Sequence, residues 1–232
     1  MESASETPRV FTRSTVRTAR YALLGAEPQD AHRVWFVLHG YGQLAPRFLR
    51  HFAGRVPPDC CVVAPEGLNR FYADMPRRDG SHLQRVGATW MTREARDDDI
   101  ADTLRWLDTL HADIMAMVGR TVPIGVLGFS QGVATATRWI AAGAVRPCAF
   151  VVWAGGVAHD VSEGAMQSAL RETRVTLVCG EHDPFFSPDS RGALLTQLQS
   201  WQSHTALVTF DGEHHLNGDV LSPLLAALEP QP

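Results

Sequence analysis

The sequence predicts an α/β fold, with a mostly parallel β-sheet covered by helices on both faces. Two observations carry this prediction. Short apolar runs alternate along the chain with longer segments of helical periodicity, as in sheets whose parallel strands are joined by helices. The apolar runs are continuous, as expected of strands that are buried on both faces. The length of 232 residues and the hydrophobic content of 45% fit one domain of this kind.

Apolar runs that form the predicted sheet are spread over the whole chain. They lie at 33–38, 60–64, 124–127, 149–153, 174–179 and 205–210. Looser alternation over 10–24 predicts one or two further edge strands. Residues 1–9 are polar and are predicted to be a flexible N-terminus, so the single domain is expected to span 10–232.

Helices are predicted between these strands. The longest is expected at 92–118, where apolar residues recur at spacings of three and four and Gly119 provides a stop. The acidic cluster 97–99 is interpreted as the solvated first turn of this helix rather than a metal site. The remaining helices are expected at 44–53, 133–143, 190–201 and 219–228.

Residues 65–90 show little periodicity and are predicted to be a long segment without regular structure. The segment follows the strand at 60–64, and ligands of open α/β sheets bind beyond the carboxyl ends of the strands. A structureless stretch of this length in a compact domain is usually functional. Phe71, Tyr72 and Trp90 are therefore predicted to line an acyl-binding pocket, with core packing as the alternative for each.

Charge and composition limit the partners of the protein. The net charge of −4 and the pI near 6.2 favour neither nucleic acid nor an acidic membrane. No apolar run is long enough to span a bilayer, so no stable membrane insertion is expected. The first residues lack a signal-peptide pattern, which predicts a cytoplasmic protein. The four cysteines, at 60, 61, 148 and 179, are predicted to be free thiols.

The pentapeptide Gly128-Phe129-Ser130-Gln131-Gly132 joins the strand at 124–127 to the helix that follows. Gly-x-Ser-x-Gly between a strand and a helix is the signature of a nucleophile elbow. The serine of such a turn has a strained backbone conformation, and side chains at the two glycine positions would collide with neighbouring elements. Because its hydroxyl then stands clear of the sheet, Ser130 is predicted to be a catalytic nucleophile rather than part of a plain structural turn.

A second glycine-rich turn, His39-Gly40-Tyr41-Gly42, directly follows the strand at 33–38. In folds with a nucleophile elbow this loop supplies one donor to the oxyanion. We assign that role to the Tyr41 amide. The second donor is predicted to be the Gln131 amide, at a helix N-terminus where negative charge is favoured. His39 is predicted to be a structural hydrogen-bonding residue beneath the loop and not a base.

Acidic residues and histidines follow the strands at 174–179 and 205–210. Because the nucleophile, the acid and the histidine each come directly after a strand, they are expected at one edge of the sheet, in the chain order of α/β-hydrolases. A serine hydroxyl needs an imidazole to accept its proton, and the imidazole needs a carboxylate to fix its tautomer. The sequence offers His214 or His215 as the base.

The acid of this predicted triad is assigned to Asp183. It lies later in its turn than Glu181, and Pro184 helps to hold it there. Asp211 and Glu213 are further candidates by composition, but they lie on the loop of the histidine itself.

Four segments together resemble the phospholipase/carboxylesterase family, which includes acyl-protein thioesterases and small bacterial carboxylesterases. The segments are 39–42, 128–132, 182–184 and 210–214. The resemblance spans about residues 33–225 and implies an α/β-hydrolase fold, a Ser-His-Asp mechanism without cofactor, and carboxylic ester or thioester substrates.

The resemblance also bears on the base and on the substrate. The spacing from His214 to the closing helix matches the similar bacterial esterases, whereas counting from His215 does not, which favours His214. Residues 66–72 and 85–90 match the eukaryotic thioesterases only loosely. A carboxylesterase is therefore predicted, with an acyl-protein thioesterase or lysophospholipase as the alternative.

The predicted partner is a small-molecule acyl ester, with a homodimer as an expectation for assembly. Two other classes of function are weaker hypotheses. His182, Asp183, His214 and His215 could serve a metal-dependent hydrolase, but their spacing matches no metal motif and would leave the serine elbow unexplained. A binding protein on a hydrolase scaffold would leave the apparent triad unused.

Overall fold

A computed structural model describes residues 8–76 and 82–229, without the side chains of 74–76 and 82–84. The strands, in chain order, are β1 (Tyr21–Gly25), β2 (Arg33–Leu38), β3 (Cys60–Pro65), β4 (Asn69–Pro76), β5 (His82–Thr89), β6 (Ile124–Phe129), β7 (Ala149–Trp153), β8 (Arg174–Gly180) and β9 (Ala206–Phe210). The helices are α1 (Ala45–Phe48), α2 (Arg96–Val118), α3 (Gln131–Ala142), α4 (Glu163–Ala169), α5 (Pro188–Trp201) and α6 (Gly218–Ala226).

Seven strands form the main sheet, in the order β1-β3-β2-β6-β7-β8-β9. Only β1 runs antiparallel to its neighbour, and the other pairs are parallel. The continuous apolar runs explain this arrangement, because β2, β3, β6 and β7 are buried along almost their whole length. The predicted mostly parallel sheet is confirmed.

Helices cover both faces of the sheet, as predicted. One core cluster joins the sheet to α2, α3, α4 and α5. The second joins the opposite face to α1, the 3-10 turn after it (Leu49–Phe52) and α6. The strands β6 and β7 lie near the centre of the sheet and are packed on both faces by these two layers. The residues at their carboxyl ends, where the loops begin, are therefore held rigidly in place.

The prediction that residues 65–90 lack regular structure is wrong. Residues 69–76 and 82–89 form an antiparallel hairpin, β4–β5, with Asn69 paired to Thr89. The hairpin was missed because the residues near its base are small: Gly87 packs directly against the Gly42 backbone, and buried Ala88 exchanges backbone hydrogen bonds with residues 42 and 43. Without large apolar residues at alternate positions, the period of two that predicts strands is absent.

Smaller differences lie near the N-terminus and in the helices. Of the edge strands expected over 10–24, the structure has β1 alone, at 21–25. The long helix begins at Arg96, after Ala95 in a left-handed conformation (φ 48°), and not at 92. The cysteines are free thiols, as predicted. None of the helices in the described ranges is long and apolar enough to cross a bilayer.

Candidate active site

Ser130 lies in the tight turn between β6 and α3, with φ 52° and ψ −120°. This conformation is costly for a residue with a side chain and persists only where the surroundings impose it. The Ser130 amide donates to the Trp153 carbonyl oxygen at 2.9 Å, which ties the turn to β7. A Cβ atom at Gly132 would lie 2.3 Å from the Leu38 oxygen, and one at Gly128 would lie 2.6 Å from the Val133 Cα atom. The two glycines are therefore required by close packing around the serine.

Asp183 and His214 meet beyond the carboxyl ends of β8 and β9. The Nδ1 atom of His214 is 2.7 Å from Oδ2 of Asp183. The Asp183 side chain is fully buried, and its other oxygen accepts a hydrogen bond from the Phe185 amide at 2.9 Å. Since an ionised carboxylate only accepts hydrogen bonds, the His214 Nδ1 atom carries the proton and its Nε2 atom can act as a base.

The other acidic residues and histidines of these two loops have different partners. Glu181 accepts a hydrogen bond from Thr209 and is exposed, and His182 pairs with Asp211 at 3.1 Å on the surface. The ring of His215 packs against Phe210 instead of a carboxylate. Within the described ranges no three His, Cys, Asp or Glu side chains gather as metal ligands would.

The imidazole of His214 also lies beside the elbow. Its ring centroid is 5.0 Å from that of Phe129, the residue before Ser130. In the part of the chain that the structure describes, the Ser130 hydroxyl has no hydrogen bond, to His214 or to any other group. Catalytic hydrogen bonds are often long in unliganded enzymes and tighten when substrate binds.

The loop after β2 supplies backbone amides next to Ser130. The Gly40 amide donates to the Gln43 side chain at 2.7 Å, the Gly42 amide to Ala88 O at 2.9 Å and the Gln43 amide to Gly40 O at 3.2 Å. Among the described residues, the Tyr41 amide has no such acceptor. A Cβ atom at Gly40 would lie 3.2 Å from the Ser130 Cβ atom, so this loop borders the nucleophile directly.

The Gln131 amide is the second predicted oxyanion donor. It is the first amide of α3, and such amides lack acceptors within their helix. The Gln131 side chain is occupied elsewhere, since its Nε2 atom donates to Thr89 Oγ1 at 2.8 Å and to Met91 O at 3.3 Å. The side chain thus anchors the start of α3, directly after Ser130, to the base of the hairpin.

Residues 32–216 match the model of a protein family that is described as serine hydrolase (FSH1). The chain belongs to the FSH1 serine hydrolase family. The match covers most of the chain and all the segments that carry Ser130, Asp183 and His214. The sequence-based prediction of a serine hydrolase is confirmed. A comparison with curated proteins gave no match.

Solved structures show the same fold at low sequence identity. Esterase PE8 is 20% identical, with 90% of this chain and 97% of that chain covered and a TM-score of 0.64. A phospholipase/carboxylesterase from Dyadobacter fermentans DSM 18053 is 17% identical, with 93% and 98% covered and a TM-score of 0.62. Zea mays acyl-protein thioesterase 2 is 14% identical, with 91% and 100% covered and a TM-score of 0.64. The predicted α/β-hydrolase fold is confirmed.

The aromatic residues predicted to bind substrate in this serine hydrolase differ in environment. Phe71 is half-buried, and its ring centroid lies 5.1 Å from that of Tyr41. Tyr72 is the next residue of β4 and is exposed. The prediction for Trp90 is corrected, because its side chain is only 1% exposed. Its ring stacks on that of His39, with 4.7 Å between the ring centroids, and its Nε1 atom donates a hydrogen bond to His39 O. Because it packs in the core against His39, Trp90 supports the loop at 39–42 from beneath and does not line an open pocket.

Phe185 borders the site but was not predicted from the sequence. Its side chain is 78% exposed, and its ring centroid lies 5.0 Å from that of His214 in an edge-on arrangement. Phe186, the next residue, is buried. The signal in the sequence was the pair of adjacent phenylalanines that follows Asp183 and Pro184. Neighbouring side chains of a turn seldom share one environment, so one of the two was to be expected on the surface beside the acid.

Glu66 was also missed. Its buried carboxylate accepts hydrogen bonds from Arg20, Arg70 and the Ala45 amide at the start of α1. Burial acts to raise the pKa of Glu66, but these hydrogen bonds outweigh it and hold the pKa below its usual value. Glu66 thereby joins the residue before β1, the hairpin and the start of α1 at the edge of the sheet where the site lies.

Proposed function

We propose that this protein is a carboxylesterase that works through a triad of Ser130, His214 and Asp183 and a covalent acyl-enzyme. The observation that carries the proposal is the 2.7 Å contact between the His214 Nδ1 atom and the Asp183 carboxylate, beside a serine in a nucleophile elbow. A buried carboxylate at this atom leaves the other imidazole nitrogen available for the serine proton.

In the first step, the Ser130 oxygen attacks the acyl carbon while His214 Nε2 accepts the hydroxyl proton. The negative charge then moves to the former carbonyl oxygen. The amides of Tyr41 and Gln131 are proposed to donate to this oxygen, since both lack other acceptors among the described residues and both belong to segments that border Ser130. Asp183 stabilises the imidazolium that forms.

In the second step, the imidazolium gives its proton to the leaving alcohol, and the ester bond to the alcohol breaks. The acyl group stays on Ser130. Water then attacks this acyl-enzyme with His214 again as base, which releases the acid and restores the serine. The sequence of steps needs no cofactor.

The substrate is proposed to be a small-molecule acyl ester. Half-buried Phe71, whose ring centroid lies 5.1 Å from that of Tyr41, offers apolar surface for the acyl chain. Exposed Tyr72 is the next residue of β4, so its side chain lies on the opposite face of the strand. Thioesters, and the carboxylic esters of lysophospholipids, would react by the same steps, so an acyl-protein thioesterase or lysophospholipase is the alternative within the same chemistry. A cytoplasmic location and a homodimer stay predictions from the sequence.

The decisive experiment combines labelling with hydrolysis. Wild-type protein should react with a fluorophosphonate probe and hydrolyse p-nitrophenyl esters, assayed from acetate to palmitate beside a thioester series of the same lengths. Ser130→Ala should abolish labelling and lower kcat by on the order of 10⁵ or more, as triad knockouts do in other serine hydrolases.

A matched control is Ser200→Ala, which removes an exposed hydroxyl on α5 that bonds only Gln197 O. It should label and turn over like wild type. A folded Ser130→Ala variant that keeps a tenth of wild-type turnover would end the proposal.

A further inference from the structure

His39, at the end of β2, is a buried histidine that the proposed mechanism does not use. Both of its ring nitrogens are engaged: Nδ1 lies 2.8 Å from Gly40 O, and Nε2 lies 3.0 Å from the Gly67 amide nitrogen. A carbonyl oxygen can only accept and an amide N–H can only donate. The two contacts therefore define a neutral ring with its proton on Nδ1. Burial lowers the pKa of His39 to about 4, in keeping with a neutral ring.

The Gly40 oxygen belongs to the same peptide unit as the Tyr41 amide. In a planar trans peptide the C=O and N–H bonds point in opposite directions, and no peptide bond in the described ranges is cis. The oxygen is held by His39 Nδ1–H and, at 3.2 Å, by the Gln43 amide. The Tyr41 N–H must therefore point away from His39.

The imidazole is itself fixed in place. The Trp90 indole stacks on it, with 4.7 Å between ring centroids and 28° between ring planes. Trp90 also donates from Nε1 to the His39 carbonyl oxygen at 2.8 Å. Because both rings are almost completely buried, the His39 ring cannot rotate without disrupting the core.

We propose that His39 is a positioning residue for catalysis, whose Nδ1–H holds the Gly40–Tyr41 peptide so that the Tyr41 amide is directed at the oxyanion. The inference rests on the proposed function, because it takes the Tyr41 amide as an oxyanion donor. A purely structural His39 would affect stability alone, whereas a positioning residue affects the transition state more than the bound substrate.

Two substitutions separate the two hydrogen bonds of the ring. In His39→Asn the side-chain amide can occupy the place of Nδ1 and donate to Gly40 O, but it is too short to reach Gly67. In His39→Gln the longer side chain can accept from the Gly67 amide and has a methylene group in the place of Nδ1. Each variant loses one buried hydrogen bond, so the two are matched in their expected cost in stability.

The expected result is a difference in kcat between these variants. His39→Asn should keep kcat within about fivefold of wild type, and His39→Gln should lose on the order of 10- to 100-fold, less than the 10² to 10³ of a deleted donor. KM should change by less than about twofold in both. The inhibition constant of a trifluoromethyl ketone, which forms an oxyanion adduct with the serine, should rise in His39→Gln by the same factor as kcat falls.

Thr173→Val controls for the loss of a buried hydrogen bond as such. It removes the 2.7 Å bond from Thr173 to Pro147 O, which lies before β7 and β8 at the opposite edge of the sheet. This variant should unfold at lower urea concentration than wild type with unchanged kcat.

A second measurement uses the wild type and so does not depend on whether the variants fold. Nitrogen-15 NMR of the histidine side chains should find His39 protonated on Nδ1 alone at pH 7.

Equal kcat in the Asn and Gln variants, or a wild-type His39 protonated on Nε2, would overturn this inference while fluorophosphonate labelling of the wild type still supported the proposed function. Failure of the wild type to label would overturn both.

Discussion

The contact between the hairpin and the loop at 39–42, which carries the proposed oxyanion donor, predicts that Gly87→Ala lowers catalysis. A Cβ atom at Gly87 would lie 2.7 Å from Gly42 O, 2.8 Å from its Cα and 2.9 Å from its carbonyl carbon. Non-bonded carbon atoms normally approach to about 3.5 Å, so Gly42 would have to retreat by roughly 0.7 Å. Gly42 follows Tyr41 directly, and its amide bonds to Ala88 O at 2.9 Å. The displacement would therefore move the proposed oxyanion donor.

The magnitude follows from this displacement. A misplacement of about 1 Å can cost 10²-fold in rate, so kcat is expected to fall by roughly 10- to 100-fold, with KM changed much less. Overpacking should also lower the free energy of unfolding by about 1–3 kcal/mol. The assay is steady-state hydrolysis of p-nitrophenyl butyrate, with urea unfolding of the same preparations.

Gly192→Ala is the matched control, because a Cβ atom at that position in α5 meets nothing within 4 Å. It should leave kcat unchanged and raise stability by up to about 1 kcal/mol through helix propensity. If Gly87→Ala loses stability but keeps kcat within twofold of wild type, the hairpin does not position the proposed oxyanion donor.

Three further predictions concern the proposed acid, the proposed base and the buried histidine. Asp183→Asn should cut kcat by roughly 10⁴ through the wrong imidazole tautomer, while Glu181→Gln stays active; the reverse pattern in an ester assay would reassign the acid. His214→Ala should be almost inactive and His215→Ala close to wild type in kcat, and full activity of both would rule out the triad. The lowered pKa of His39 means that the unfolded chain binds more protons between about pH 6.5 and 4. The free energy of unfolding should therefore fall as pH drops through this window, by up to about 3 kcal/mol from this residue. Urea unfolding should show a smaller loss in His39→Asn than in wild type, and an equal loss would contradict the assignment.

The features that could be predicted from the sequence are mainly those with a local pattern. Continuous apolar runs predict strands buried on both faces, and the sheet followed from them. The elbow was predictable because its glycine spacing, together with the strand before it and the helix after it, is visible in the sequence. The contact that requires Gly128 is also local, since a side chain there would meet the Val133 Cα atom at 2.6 Å, whereas the contact that requires Gly132 is with the distant Leu38 oxygen. The order of Ser130, Asp183 and the histidines along the chain was likewise visible without a structure.

Contacts between distant segments decided the rest. Glu181, Asp183, Asp211 and Glu213 all follow strands, and the pairing of β8 with β9 determines which carboxylate meets which histidine. The role of Trp90 depended on a burial that an aromatic residue alone does not reveal. The hairpin escaped prediction because its inner surface is backbone packed on backbone at Gly87, a contact across 45 residues with no apolar pattern to mark it. Such contacts join segments that are far apart in the chain. They form only when the assembled sheet brings these segments together, so no local pattern in the sequence reveals them.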